Sequence, residues 1–295
     1  MVRGVGGHCT FVWVRDAVPV VPSNLRPHNG PVAHHRRPLI LAYHAVDPAW
    51  ASPLAVTARS LELQAAYLAA RGFVGLTVTE AERGRQRGTL PARSVVFTFD
   101  DGYRSTALAA PILARFGFPG TVFAVTGYVE SQRPFDWYGV DHEDPARLSP
   151  MGWDELAALK DQGWEVGSHT VTHGLLTVVD DGTLAEELTG SRMRIAERLG
   201  SCESIAYPYG QADRRVAVAA ERAGYRAAVM LTGVIVADEA LRRPRVGLGS
   251  RDRGLRLRLK LSAPALAARR ARLARLVRRL RRTRAWMPSD EPAAD

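Results

Sequence analysis

From Pro38 to Leu248, short β-rich apolar runs alternate with amphipathic helical stretches, and this rhythm restricts the fold more than any other feature of the chain. Leu39-Ile-Leu-Ala-Tyr43 reads as a buried strand, and residues 57–70 as a helix with Leu61, Ala65 and Leu68 on one face. Ser94-Val-Val-Phe-Thr-Phe99 is the next strand, followed by a helix over 105–116 and a strand over 121–125. A helix is expected at 153–162, a strand at 164–167, and a long helix over 183–199 whose Leu184, Leu188, Ile195 and Leu199 form one stripe. Strands at 204–207, 225–231 and 245–248 and a helix at 212–223 complete the pattern. Such alternation favours parallel strands joined by helical crossovers, either an open doubly wound sheet or a closed barrel. In both, chemistry gathers at the carboxyl ends of the strands.

With 295 residues, 46% of them hydrophobic, the chain can bury one substantial core. The pattern divides it into an N-terminal extension (1–37) rich in Pro, Gly, His and Arg, a domain (38–252) and a tail (253–295). Cys9 and Cys202 are too few for a disulfide framework or a thiolate zinc site. No apolar run approaches the roughly 18 residues of a spanning helix, and the N-terminus lacks an apolar secretory segment, so a cytoplasmic location is expected. The net charge of +10 sits in the tail, which holds thirteen basic and three acidic residues. Within it, residues 262–284 read as a helix with Pro264 in its first turn and Leu266, Leu273, Leu276, Val277 and Leu280 among nine arginines. Such a helix suits peripheral contact with an anionic membrane surface or a partner's groove. No nucleic-acid partner is expected, because the body does not interleave basic and aromatic residues.

Two polar constellations fall at strand ends. Thr98-Phe-Asp-Asp-Gly-Tyr103 places adjacent carboxylates after an apolar strand, where Gly102 permits a sharp turn. Alone, such a triplet also serves as an ordinary helix-capping turn. Gly167-Ser-His-Thr-Val-Thr-His173 sets two imidazoles four residues apart. On a helical turn they would lie roughly 6 Å apart and could share a cation. Fully extended they would be about 13 Å apart, so the segment must leave its strand and curl. A carboxylate from one strand end and two imidazoles from another make a three-ligand catalytic metal site, with Asp101 as ligand and Asp100 left to take a proton.

These residues resemble the polysaccharide deacetylases with a NodB-homology domain, carbohydrate esterase family 4, over about Pro38 to Leu248. The first constellation is similar to that family's first motif and Ser168-His-Thr-Val-Thr-His173 to its second. The resemblance implies a distorted (β/α)7 barrel of α/β class and a divalent metal, zinc by preference with cobalt or nickel as alternatives, held by Asp101, His169 and His173. It implies Asp100 as catalytic base. It also matches Ala206-Tyr-Pro-Tyr-Gly210 to the third motif, whose Tyr209 backbone N–H would help stabilise the oxyanion.

The chain departs from the pattern twice. The family's third motif carries an Arg that orients the catalytic Asp, whereas here the region reads Ser204-Ile-Ala-Tyr-Pro208, so that charge is missing or comes from elsewhere. The family's late His, which protonates the leaving amine, has no counterpart after His173. The first strand ends in His44, and in a closed barrel first and last strands are neighbours, so His44 can replace it. This arrangement looks like the subgroup that deacetylates poly-N-acetylglucosamine. Trp153-Asp-Glu155 reads as a helix start, and Trp137 and Tyr138 as candidates to stack on sugar rings. The expected activity is removal of N-acetyl groups from an amino-sugar glycan or glycoconjugate. The two departures also admit a glycan-binding protein without turnover, and the tail a membrane-surface scaffold.

Overall fold

The computed structural model describes residues 37–136, 144–231 and 240–262. Seven parallel strands close a barrel in chain order: β1 (Leu39–Tyr43), β2 (Ser94–Phe99), β3 (Gly120–Ala124), β4 (Glu165–Ser168), β5 (Ser204–Ala206), β6 (Ala227–Leu231) and β7 (Arg243–Gly247). Closure comes from β7 pairing with β1 through Leu41 and Val246, while β1 pairs with β2 from Leu39 and Val95 to Tyr43 and Phe99. The short strand Val74–Gly75 adds to the start of β2. The two-residue strands Ala45–Val46 and Ala55–Val56 pair beside the barrel mouth. The result is a (β/α)7 barrel, as the resemblance implied.

The helices follow the apolar stripes. They are α1 (Ala58–Ala69), α2 (Val78–Gln86), α3 (Ala109–Ala114), α4 (Thr126–Ser131), α5 (Trp153–Asp161), α6 (Asp181–Leu199), α7 (Arg214–Arg222) and α8 (Gly254–Lys260). Thr57, Asp180 and Asp213 cap α1, α6 and α7 with side-chain acceptors, and Glu155 closes the start of α5 onto the Gly152 N–H. Leu61, Leu68, Leu184, Leu188, Ile195 and Val216 bury their stripes against the outer face of the strands. Sequence reading omits α2, α4 and α8 and begins α3 four residues early, where Arg104–Leu108 forms a tighter 3-10 turn.

Side chains alternate across each strand, so parity decides what fills the barrel. Ile40, Val96, Phe123, Ala206, Ala227 and Val229 share an inner cluster with Val78 and Ala81 of α2, which plugs the amino end of the barrel. Gly167 has inward parity on β4, and a Cβ there would lie 2.6 Å from the Phe123 ring and from Ser204 Oγ. Only glycine fits that approach.

α8 begins the basic C-terminal segment, with Leu257 buried and Arg256 and Lys260 paired to Asp252. From residue 263 onward the expected basic helix, like the N-terminal extension up to residue 36 and the pair Trp137 and Tyr138, lies outside the described residues. Among the described residues no helix is long and apolar enough to cross a membrane.

Candidate active site

Strand parity carries three polar side chains to one mouth of the barrel. His44 follows β1 in register with Ile40 and Ala42, Asp100 follows β2 in register with Val96 and Thr98, and His169 follows β4 in register with Gly167. Asp101 should then face outward. Its backbone instead turns left-handed, at φ 69°, which returns its carboxylate to the site. Among the described residues, five non-glycine positions have positive φ, and four of them, Asp101, Thr170, His173 and Tyr209, line this mouth. Strained backbone of this kind persists where the surroundings over-determine it.

Asp101 Oδ1 lies 3.4 Å from His169 Nε2 and 3.5 Å from His173 Nε2. The two rings meet edge to face with centroids 4.8 Å apart. The segment from 169 to 173 curls as expected, but as an irregular turn with Thr170 and His173 left-handed, not as a helical turn.

The residues fit a divalent cation. One ligand atom from each of Asp101, His169 and His173 lies within 4.8 Å of the others, and all three side chains are buried. His169 Nδ1 sits 2.7 Å from the Ala206 carbonyl, which fixes that nitrogen as the donor and leaves Nε2 free to ligate. Burial, with His169 beside it, brings His173 down to about 4, so its ring is neutral near pH 7 as a ligand must be. Burial opposes ionisation of Asp101, but the hydrogen bond with His169 and the neighbouring imidazoles hold its carboxyl well below the usual range.

The orienting charge absent from the third motif comes from β7. Arg245 points into the barrel with its guanidinium 5.9 Å from the centre of the Phe123 ring. Its Nη1 and Nη2 donate to the two Asp100 oxygens, both at 2.6 Å, and Nη1 also donates to Thr98 Oγ1 at 2.9 Å. Burial raises the Asp100 carboxyl, but the Arg245 guanidinium, together with the neighbouring His169 and His44 imidazoles, more than offsets it and leaves the carboxyl below its ordinary value. The sequence signal for Arg245 was an arginine two places from another, Arg243, in an otherwise apolar final strand.

His44 Nε2 lies 4.0 Å from Asp100 Oδ2, so the strand-end histidine does reach the shared mouth. Tyr209, at φ 57° in the turn Pro208–Gly210, tilts its exposed ring over His173 with centroids 4.8 Å apart. Glu155, by contrast, is engaged with Arg104 and the start of α5 and stays outside the cluster.

With this geometry in place, a family model described as polysaccharide deacetylase matches residues 87–228. Over 217 residues the chain is 25% identical to the YxkH protein of Bacillus subtilis, which is named for the same family, covering 71% of each. It is 28% identical over 165 residues to the poly-beta-1,6-N-acetyl-D-glucosamine N-deacetylase of Staphylococcus aureus, covering 52% of this chain and about half, 53%, of that relative. The solved Streptococcus pyogenes deacetylase PplD in complex with acetate superposes with a TM-score of 0.66 at 23% identity, over 77% of this chain and 98% of that one, a likeness of fold.

Proposed function

Because the polysaccharide deacetylase model matches residues 87–228 across the barrel, we propose that the chain is a metal-dependent hydrolase of that family that removes N-acetyl groups from an amino-sugar glycan, releasing acetate and leaving a free amine. The observation that carries this reading is the junction of two buried sets, Asp101 with His169 and His173, and Asp100 with Arg245. The substrate class follows the relative in Staphylococcus aureus, whose name specifies a polymer of N-acetylglucosamine.

Asp101, His169 and His173 would hold the cation, with zinc the natural choice for two imidazoles and a carboxylate and cobalt or nickel as substitutes. Bound there, a divalent ion supplies Lewis acidity toward the acetyl carbonyl and toward water. Asp100 takes a proton from the attacking water, and Arg245 holds its carboxylate ionised and aimed. The Tyr209 backbone N–H donates to the oxygen that gains charge as the carbonyl carbon becomes tetrahedral. His44 delivers a proton to the amine nitrogen as the C–N bond breaks, so that acetate and amine share the elements of water. Arg245 removes one of the two reasons for reading the chain as a glycan-binding protein without turnover.

The test is acetate release from N-acetylglucosamine oligomers with added zinc, comparing wild type, Asp100→Asn and His44→Ala. Asp100→Asn should abolish release, and His44→Ala should slow it by about 10²-fold or more, the scale of one positioned general acid. Zinc binding without acetate release from any acetylated sugar would favour the binding-protein reading.

A further inference from the structure

The turn that carries His173 has two left-handed residues, Thr170 at φ 70° and His173 at φ 65°. It is held from two sides. The N–H groups of Thr126 and Gly127, opening α4, donate to the Thr170 and Val171 carbonyls at 3.1 and 2.9 Å. Opposite them, the Glu187 carboxylate on α6 accepts from the Val171 and Thr172 N–H groups at 2.8 and 3.0 Å, and from the Thr172 hydroxyl at 2.6 Å. Within the turn, the Thr170 N–H donates to Ser168 Oγ and the His173 N–H to Thr170 Oγ1.

Glu187 is buried, and among the described residues no Lys, Arg or His forms an ion pair with it. A carboxylate taken out of water without a counter-cation is costly unless several donors converge on it, and here all three come from the turn. These charge-assisted bonds are stronger than neutral ones and fix the direction as well as the position of the backbone they grip.

We propose that Glu187 is a positioning residue for the metal centre: from a helix that contributes no ligand, its carboxylate locks the turn so that His173 Nε2 faces Asp101 Oδ1 at 3.5 Å. This rests on the reading of Asp101, His169 and His173 as a metal site. Outer groups that orient a ligand control metal affinity directly, because a misdirected imidazole must be reorganised on binding.

The experiment measures zinc affinity of the full chain by chelator competition for wild type, Glu187→Ala, Glu187→Gln and Leu188→Ala. Glu187→Ala should weaken binding about 10–100-fold, and Glu187→Gln, which keeps one acceptor oxygen for the two N–H groups, by less. Leu188→Ala creates a cavity in the core beside the next residue of α6; it should lower the melting temperature yet leave affinity within about twofold of wild type. Unchanged affinity in both Glu187 variants, or equal weakening by Leu188→Ala, would overturn the proposal. Should Glu187→Ala fail to fold, the glutamine variant alone decides, with an affinity loss expected. Wild type that binds no zinc would overturn the metal-site reading as well, which separates the two failures.

Discussion

Asp100 and Asp101 are neighbours in sequence but reach the site by different means, and the roles proposed for them divide accordingly. Strand parity delivers Asp100 inward to a bidentate arginine, whereas a left-handed turn delivers Asp101 to two imidazoles. The fork matters as much as the charge, because only a guanidinium can engage both Asp100 oxygens in one plane. Arg245→Lys should therefore lower kcat by about 10²-fold, the lower range of what a positioned general base contributes, while zinc affinity stays near that of wild type. A fall in zinc affinity instead would place Arg245 with the ligands. Asp100, Asp101, His169 and His173 were readable from sequence because each pair lies within one short motif at a strand end. Arg245 was not, because its partner is 145 positions away and its one local mark, the alternation with Arg243 in an apolar strand, does not name that partner.

At the scale of elements, the site depends on strands that tolerate no extra volume inside. Gly167 on β4 is the tightest case, facing Phe123, whose ring in turn lies under Arg245. Gly167→Ala should destabilise the fold by about 1–3 kcal/mol, as overpacking does, and should also reduce turnover by displacing Phe123 and Arg245. Denaturant unfolding and acetate release measured on the same variant check both parts; an unperturbed variant would mean that the barrel interior is looser than its packing suggests. Helices with regular apolar stripes, α1, α6 and α7, were visible in sequence. By contrast, α2 was obscured by its charged composition, although Thr77 and Glu80 form the reciprocal cap that marks a helix start. The alternation of elements alone left barrel and open sheet undecided, because the pairing that closes the sheet joins Leu41 to Val246, at opposite ends of the domain.

For the molecule as a whole, the two inward arginines of β7 tie opposite ends of the barrel. Arg245 serves the mouth, and Arg243 donates through Nε and Nη2 to Glu82 on the α2 plug, with Arg85 completing the cluster. Burial raises the Glu82 carboxyl, but hydrogen bonding and charge from Arg85 and Arg243 leave it below the ordinary value of 4.5. A depressed carboxyl contributes stability above its unfolded value and loses it as pH falls through its folded one. Stability should thus be level above about pH 5 and decline in the acid range, and Glu82→Gln should flatten that decline while lowering stability at neutral pH. A steeper acid decline in the variant would contradict this assignment. The central claim, that Asp101, His169 and His173 hold the ion at which Asp100 drives deacetylation, is tested most directly by titrating zinc into chelator-stripped protein while following acetate release from N-acetylglucosamine oligomers. Release should rise from near zero to a plateau at about one equivalent, as expected for one three-ligand site, and His173→Ala should remove that response. Release that persists in chelator, or that survives His173→Ala unchanged, would contradict the account.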